Sequence, residues 1–230
     1  MQYVVTGANR GIGLEFVRQL STRGDEVIAT ARRPGKAEDL QKVAENVAAS
    51  VEIHRLDITD QTSVNQFARD LDGEAIDVLI NNAGVLHRGG GPKQGFDFDE
   101  IQTDFEVNAK GTLRVIESLV SNVVEDGGGK IVNVTSKMGS IEDNGSGGSY
   151  AYRMAKCALN MATRSLALDL SGDGVVAFVI HPGWVKTRMG GTNALISTEE
   201  SVSNMIDRID DAGREQSGKF LEWDGGYVPW

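Results

Sequence analysis

Tyr152 and Lys156 stand four residues apart in the run Tyr150-Ala151-Tyr152-Arg153-Met154-Ala155-Lys156. The run has a helical pattern, so the two side chains share one face. An unperturbed phenol, with a pKa of about 10, is a poor acid or base at neutral pH. An ammonium beside it favours the phenolate and is expected to lower that value. The pair then suits general acid–base chemistry, with Tyr152 protonating the alkoxide that forms when a carbonyl is reduced. Tyr150 is the other candidate, but its i+4 residue is Met154, so the ammonium argument selects Tyr152.

Two further polar residues could serve the same centre. Ser136 ends the apolar run Ile131-Val132-Asn133-Val134-Thr135. A hydroxyl there could bond a substrate oxygen. Asn108 lies inside a long helical pattern, where asparagine is a poor choice. It is expected to have a specific polar job, such as holding a water. His181 has no metal-ligating neighbours in sequence and reads as structural. Cys157, the single cysteine, reads as a buried helix residue.

A second motif implies a nucleotide. The segment Thr6-Gly7-Ala8-Asn9-Arg10-Gly11-Ile12-Gly13 follows a strand pattern and opens a helical one. Glycines there allow a tight turn and let backbone approach a pyrophosphate at the positive helix end. The next strand ends in Arg32-Arg33, with no acidic residue for a free ribose 2′-hydroxyl. A guanidinium suits a 2′-phosphate instead. Arg32 or Arg33, with Arg10, therefore favours NADP(H) over NAD(H). Asp57, followed by Ile58, ends the third strand pattern and could meet an adenine amino group. Asn82-Ala83-Gly84 ends the fourth, and its small residues would let a ribose lie on the backbone. After the sixth strand come Pro182, Gly183, Val185 and Thr187, whose backbone groups and hydroxyl could bond a nicotinamide carboxamide.

Short β-branched runs must position these residues. They fall at Tyr3–Thr6, Glu26–Thr30, Val51–Leu56, Ile76–Ile80, Lys130–Thr135, Val175–His181 and Lys219–Leu221. Helical patterns alternate with them, at Gly11–Arg23, Lys36–Ala48, Thr62–Leu71, Phe98–Val124, Tyr150–Leu170 and Thr198–Asp211. Such alternation predicts an α/β fold with a mainly parallel seven-stranded sheet and helices on both faces. The glycine-rich stretches Gly89–Pro92 and Gly145–Gly148 read as loops.

The chain of 230 residues suits one domain spanning 1–230. Its net charge of −10, without a strong basic cluster, argues against nucleic acid and anionic membranes. No apolar run reaches the length of a membrane span, and Tyr3-Val4-Val5 already reads as a strand. A cytoplasmic location is the default expectation.

Taken in order, the segment Thr6–Gly13, Asp57, Asn81–Gly84, Asn108, Ser136, Tyr152 with Lys156, and Pro182-Gly183 resemble the short-chain dehydrogenase/reductase family over essentially the whole chain. Tyr150–Arg153 and His181–Thr187 look like its C-factor and sniffer-type carbonyl reductases. The serine-to-tyrosine interval is a few residues longer than in most members, with Gly145–Gly148 inside it. The resemblance implies a single doubly wound Rossmann domain and a Ser136–Tyr152–Lys156 centre assisted by Asn108. It implies a small-molecule carbonyl or alcohol substrate and a homodimer or homotetramer paired through the two long helices. A nucleotide-binding regulatory or signalling role is the competing reading, which intact Ser136, Tyr152 and Lys156 oppose. The expected pocket wall is Leu86–Phe96, Met138–Ser149 and Trp184–Ile196, and its apolar residues point to an apolar carbonyl compound.

One substitution checks the cofactor reading. Arg32→Asp should shift preference from NADPH toward NADH, read as the ratio of their specificity constants. An unchanged ratio would contradict the assignment.

Overall fold

The computed structural model describes residues 1–124 and 127–230. Seven strands form one sheet in the order β3-β2-β1-β4-β7-β8-β9. They are β1 (Gln2–Val5), β2 (Glu26–Ala31), β3 (Val51–Arg55), β4 (Val78–Asn81), β7 (Lys130–Val134), β8 (Val176–His181) and β9 (Phe220–Glu222). Every neighbouring pair is parallel. The helices are α1 (Gly11–Arg23), α2 (Glu38–Glu45), α3 (Gln61–Asp70), α4 (Phe98–Phe105), α5 (Thr112–Val124), α6 (Tyr150–Asp169) and α7 (Thr198–Asp211).

Strand alternation explains the three layers, because successive side chains point to opposite faces. Tyr3 and Val5 join Val132, Phe178 and Ile180 against α1, α2 and α7. Val4 joins Ile28, Leu79, Ile131 and Ala177 on the other face, against α3, α5 and α6. Sequence order runs outward in both directions from β1 and β4. That reversal opens a crevice at the strand carboxyl ends, where open α/β sheets bind ligands.

Three expectations about the elements need correction. The pattern over Phe98–Val124 is not one helix. A π-helical stretch, Glu106–Gly111, separates α4 from α5. Its wider turn falls where the Asn108 side chain reaches out to Val85, donating to its C=O at 2.9 Å and accepting from its N–H at 3.0 Å. The helix expected over Lys36–Ala48 shrinks to α2, because Pro34 begins a separate 3₁₀ turn through Lys36. The glycine stretch at 89–92 is not a plain loop: β5 (Gly90–Gly91) and β6 (Gly95–Phe96) pair as a short antiparallel hairpin. α1 and α7 have the expected bounds, and the other element ends differ from expectation by at most two residues, the usual uncertainty of frayed ends.

The glycine turn is packed from beneath. A Cβ on Gly13 would lie 2.4 Å from the Gly7 carbonyl oxygen and 2.5 Å from Asn82 Nδ2. Gly13→Ala must therefore spread the turn. Overpacking of this kind costs about 1–3 kcal/mol, so Tm should fall by about 5 °C. An unchanged melting curve by circular dichroism would contradict this packing.

Candidate active site

A single cleft of about 1570 Å³ crosses the carboxyl ends of β1, β2, β3, β4 and β7. Gly7, Asn9, Arg10, Gly11 and Ile12 line it from the glycine turn. Gly7 and Gly11 have φ of 66° and 55°, a region that favours glycine. A Cβ on Gly7 would also come within 2.9 Å of Ala83 Cα. The turn is tied to the end of β4 through Thr6 and Asn82. Thr6 Oγ1 accepts from the N–H groups of Asn82 and Ala83, and Asn82 Nδ2 donates to the Thr6 carbonyl at 3.0 Å. The Asn82 side chain thus shapes the turn.

Positive charge gathers along β2 and β3. Arg32, Arg33, Lys36 and Arg55 all line the cleft there, in a protein of net charge −10. Asp57 and Ile58 sit among them. Burial pushes the Asp57 carboxyl up. The Thr59 hydroxyl and amide bonds, with the Arg32 and Arg55 charges, outweigh that and hold it below its ordinary value. Asp60, not Asp57, caps α3 by accepting from Thr62 N–H. At the other end Pro182, Thr187, Lys186 and Arg188 complete the wall. Thr187 packs beside Gly11.

Four predicted residues stand behind this wall. Gly13 supports the turn from beneath. Gly183 (φ 82°) faces Ile196 and Trp223, where a Cβ would clash. Val185 is buried and bridges to Ile196. Ser136 is buried next to Tyr152.

α6 is fixed to β7 by a buried polar seam. Lys156 Nζ donates to the Val134 carbonyl at 2.8 Å. One turn on, Asn160 accepts from Thr135 Oγ1 at 2.7 Å and donates to the Gly139 carbonyl at 3.2 Å. Next, Thr163 Oγ1 accepts from Asn133 Nδ2 at 2.8 Å. This seam sets the register that brings Tyr152, Lys156 and Ser136 together.

The electrostatics differ from the sequence-based expectation. Tyr152 is not lowered by Lys156. Burial pushes the phenol up to about 12; the Ser136 hydroxyl opposes this and the Asp104 charge adds to it. Lys156 is turned toward Val134, and its Nζ lies 5.8 Å from the Tyr152 ring centre. Burial also brings Lys156 down to about 8, against the pull of Asp104. The phenol is therefore held in its proton-donating form at neutral pH. Asn108 also departs from expectation: its side chain is engaged by the Val85 backbone. His181 is brought down to about 4, by burial first and by Lys137 next, so it is neutral. Cys157 is half-buried rather than buried.

Sequence reasoning missed a polar ladder on α4 and the π-helical stretch. Asn108 holds Val85 as described. Asp104 accepts from His87 N–H at 3.1 Å and contacts His87 Nδ1 at 2.6 Å. Glu100 accepts from Gly89 N–H at 2.7 Å. Four helical residues advance about 6 Å, close to the about 6.6 Å spanned by two extended residues. Every second residue of 85–89 thus meets a rung. The polar spacing 100, 104, 108 was the available signal. The pocket wall is also less apolar than expected. Val85, Leu86 and Met189 line it, but so do His87 and Arg188, whereas Met138, Trp184 and Leu195 do not.

Lys156 gives this geometry a measurable consequence. Between about 8 and its ordinary 10.5, the unfolded chain binds the Lys156 proton and the folded chain does not. Stability from this group therefore rises with pH across that window. The gain of wild type over Lys156→Met should be on the order of 3 kcal/mol. Urea denaturation of both proteins reads it, and parallel pH curves would contradict the buried ammonium.

Known proteins match the chain on both sequence and structure. The model for short chain dehydrogenase matches residues 2–195. The C-signal of Myxococcus xanthus is 42% identical over 166 residues, covering 71% of this chain and 98% of its own. The 1-hydroxy-2-glutathionyl-2-methyl-3-butene dehydrogenase of a Rhodococcus strain is 36% identical, covering 99% of this chain and 98% of its own. The NADPH-bound carbonyl reductase from chicken fatty liver superposes with a TM-score of 0.92 at 32% identity, covering 100% of this chain and 98% of that one. The carbonyl reductase Sniffer of D. melanogaster gives 0.93 at 29% identity, covering 100% and 99%. The doubly wound sheet, the glycine turn and these matches together make the chain a member of the short-chain dehydrogenase/reductase family of oxidoreductases.

Proposed function

We propose that the protein reduces a ketone, aldehyde or quinone to the corresponding alcohol with NADPH. The carrying observation is Tyr152, which lines the cleft that also holds the glycine turn and lies beside Lys156 and Ser136. Two features fit the cofactor. Gly7, Asn9, Arg10, Gly11 and Ile12 line the cleft at the N-terminal end of α1, where backbone N–H groups can meet a pyrophosphate. The cluster of Arg32, Arg33, Lys36 and Arg55 suits a 2′-phosphate. When bound, the cofactor supplies the hydride. Similarity to an NADPH-bound carbonyl reductase supports the same choice.

The chain's own residues handle the proton and the orientation. Tyr152 donates its phenolic proton to the substrate oxygen. The Ser136 hydroxyl, buried behind the cleft wall, bonds the phenol and orients it toward that oxygen. Lys156 pins α6 to the Val134 carbonyl and so holds Tyr152 in place over the cleft. Asn108 acts through the backbone: it fixes Val85, and with it the wall beside Lys156. The protein works as a homodimer or homotetramer, paired through α4–α5 and α6. Leu113, Met154, Met161 and Leu168 lie exposed on α5 and α6 in support. Among the described residues no helix is long and apolar enough to cross a membrane. Similarity to the C-signal supports a second reading, a regulatory protein that binds nucleotide.

A screen of aldehydes, ketones and quinones for NADPH oxidation separates these readings. Wild type should turn over at least one class, and Tyr152→Phe should lose about 100-fold or more of kcat while still binding NADPH. Nucleotide binding with no turnover of any class would favour the regulatory reading. Light scattering on the same sample should give two or four chains.

A further inference from the structure

The His87–Asp104 pair has no part in the chemistry described so far. It nevertheless stands at the substrate end of the cleft. His87 lines the cleft with Leu86, Tyr152 and Met189, and its side chain is 38% exposed. Asp104 is fully buried. Its charge reaches both Tyr152 and Lys156. The wall starts at the reaction centre, because a Cβ on Gly84 would lie 3.7 Å from Lys156 Nζ. His87 follows three residues later on the same pinned segment.

The ring is oriented by its partner. An ionised carboxylate only accepts, so the Nδ1 that faces Asp104 carries a proton. The second contact, from His87 N–H to Asp104, fixes the backbone as well. The opposite nitrogen, Nε2, has no partner in the protein among the described hydrogen bonds and is the ring's free polar atom. A purely apolar substrate would leave Nε2 without a partner once water is expelled.

Resting on the carbonyl-reductase reading, we propose that His87 is a specificity-determining residue. Its Nε2 accepts a hydrogen bond from a second oxygen function of the substrate, a hydroxyl set apart from the reacting carbonyl. Asp104 is a positioning residue that acts through His87. The substrate class is therefore a carbonyl compound that also carries an oxygen function, rather than a plain alkyl ketone.

The test compares three methyl ketones of one chain length: the plain alkyl compound, its terminal hydroxyl analogue and its terminal carboxylate analogue. Wild type should prefer the hydroxyl ketone by kcat/KM. His87→Phe keeps a flat aromatic ring but removes the bond, and should cut that preference about tenfold, chiefly through KM. His87→Gln, which keeps an acceptor, should retain part of the preference. Asp104→Asn should weaken it in the same direction. Calorimetric binding of the same ketones to the NADPH-loaded proteins reads the preference without turnover. Loss of turnover with binding preference intact would count against the reduction reading alone. A wild type with no preference, or a preference kept in His87→Phe, overturns the role of His87. A preference for the carboxylate ketone over the hydroxyl one would contradict Nε2 as the acceptor.

Discussion

The buried seam between α6 and β7 is the constraint on which the site depends. Lys156, Asn160 and Thr163 project from one face of α6 and meet Val134, Thr135, Gly139 and Asn133. Apolar packing alone would hold the helix near the sheet without fixing its rotation. Hydrogen bonds are directional, and a buried donor or acceptor left unpaired costs about 1–3 kcal/mol. Rotation or sliding of α6 would break several at once. The same register that satisfies the seam places Tyr152 over Ser136.

The other parts of the cleft attach to that fixed point. Thr6 and Asn82 join the glycine turn to the end of β4. Asn108, Asp104 and Glu100 then carry the chain from β4 along α4 as a wall. Gly89 reaches the start of α6, where a Cβ would meet Ala151 N at 2.7 Å. Nucleotide turn, wall and reacting helix thus form one connected frame. Tight polar attachment suits a reaction that needs hydride donor, carbonyl and phenol in one geometry.

Much of this was legible in the sequence. Alternating β-branched and amphipathic runs are a direct record of a sheet covered on both faces, so the strands and their parallel arrangement could be read. Tyr152 could be selected over Tyr150 from helical spacing. The π-helical stretch was not legible, because Glu106–Gly111 continues the apolar periodicity of its neighbours and the Val85 backbone that Asn108 bonds there lies in another segment. The ionisation of Tyr152 was misjudged for a related reason. Sequence spacing shows that Lys156 is close, but not that its ammonium turns to Val134 or that burial outweighs charge. Gly183 and Val185 share a motif with Thr187, yet only the fold shows that they pack inward. His87 carried no signal of its own until α4 brought Asp104 beneath it.

The central claim is that Tyr152 delivers a proton to a carbonyl oxygen as hydride reaches its carbon in this cleft. The most direct measurement uses NADPH deuterated at its transferable position, with mass spectrometry of the alcohol product. Deuterium on the carbinol carbon in wild type, with product formation suppressed in Tyr152→Phe, is the predicted result. Product lacking deuterium, or formed equally well without the phenol, would contradict the account.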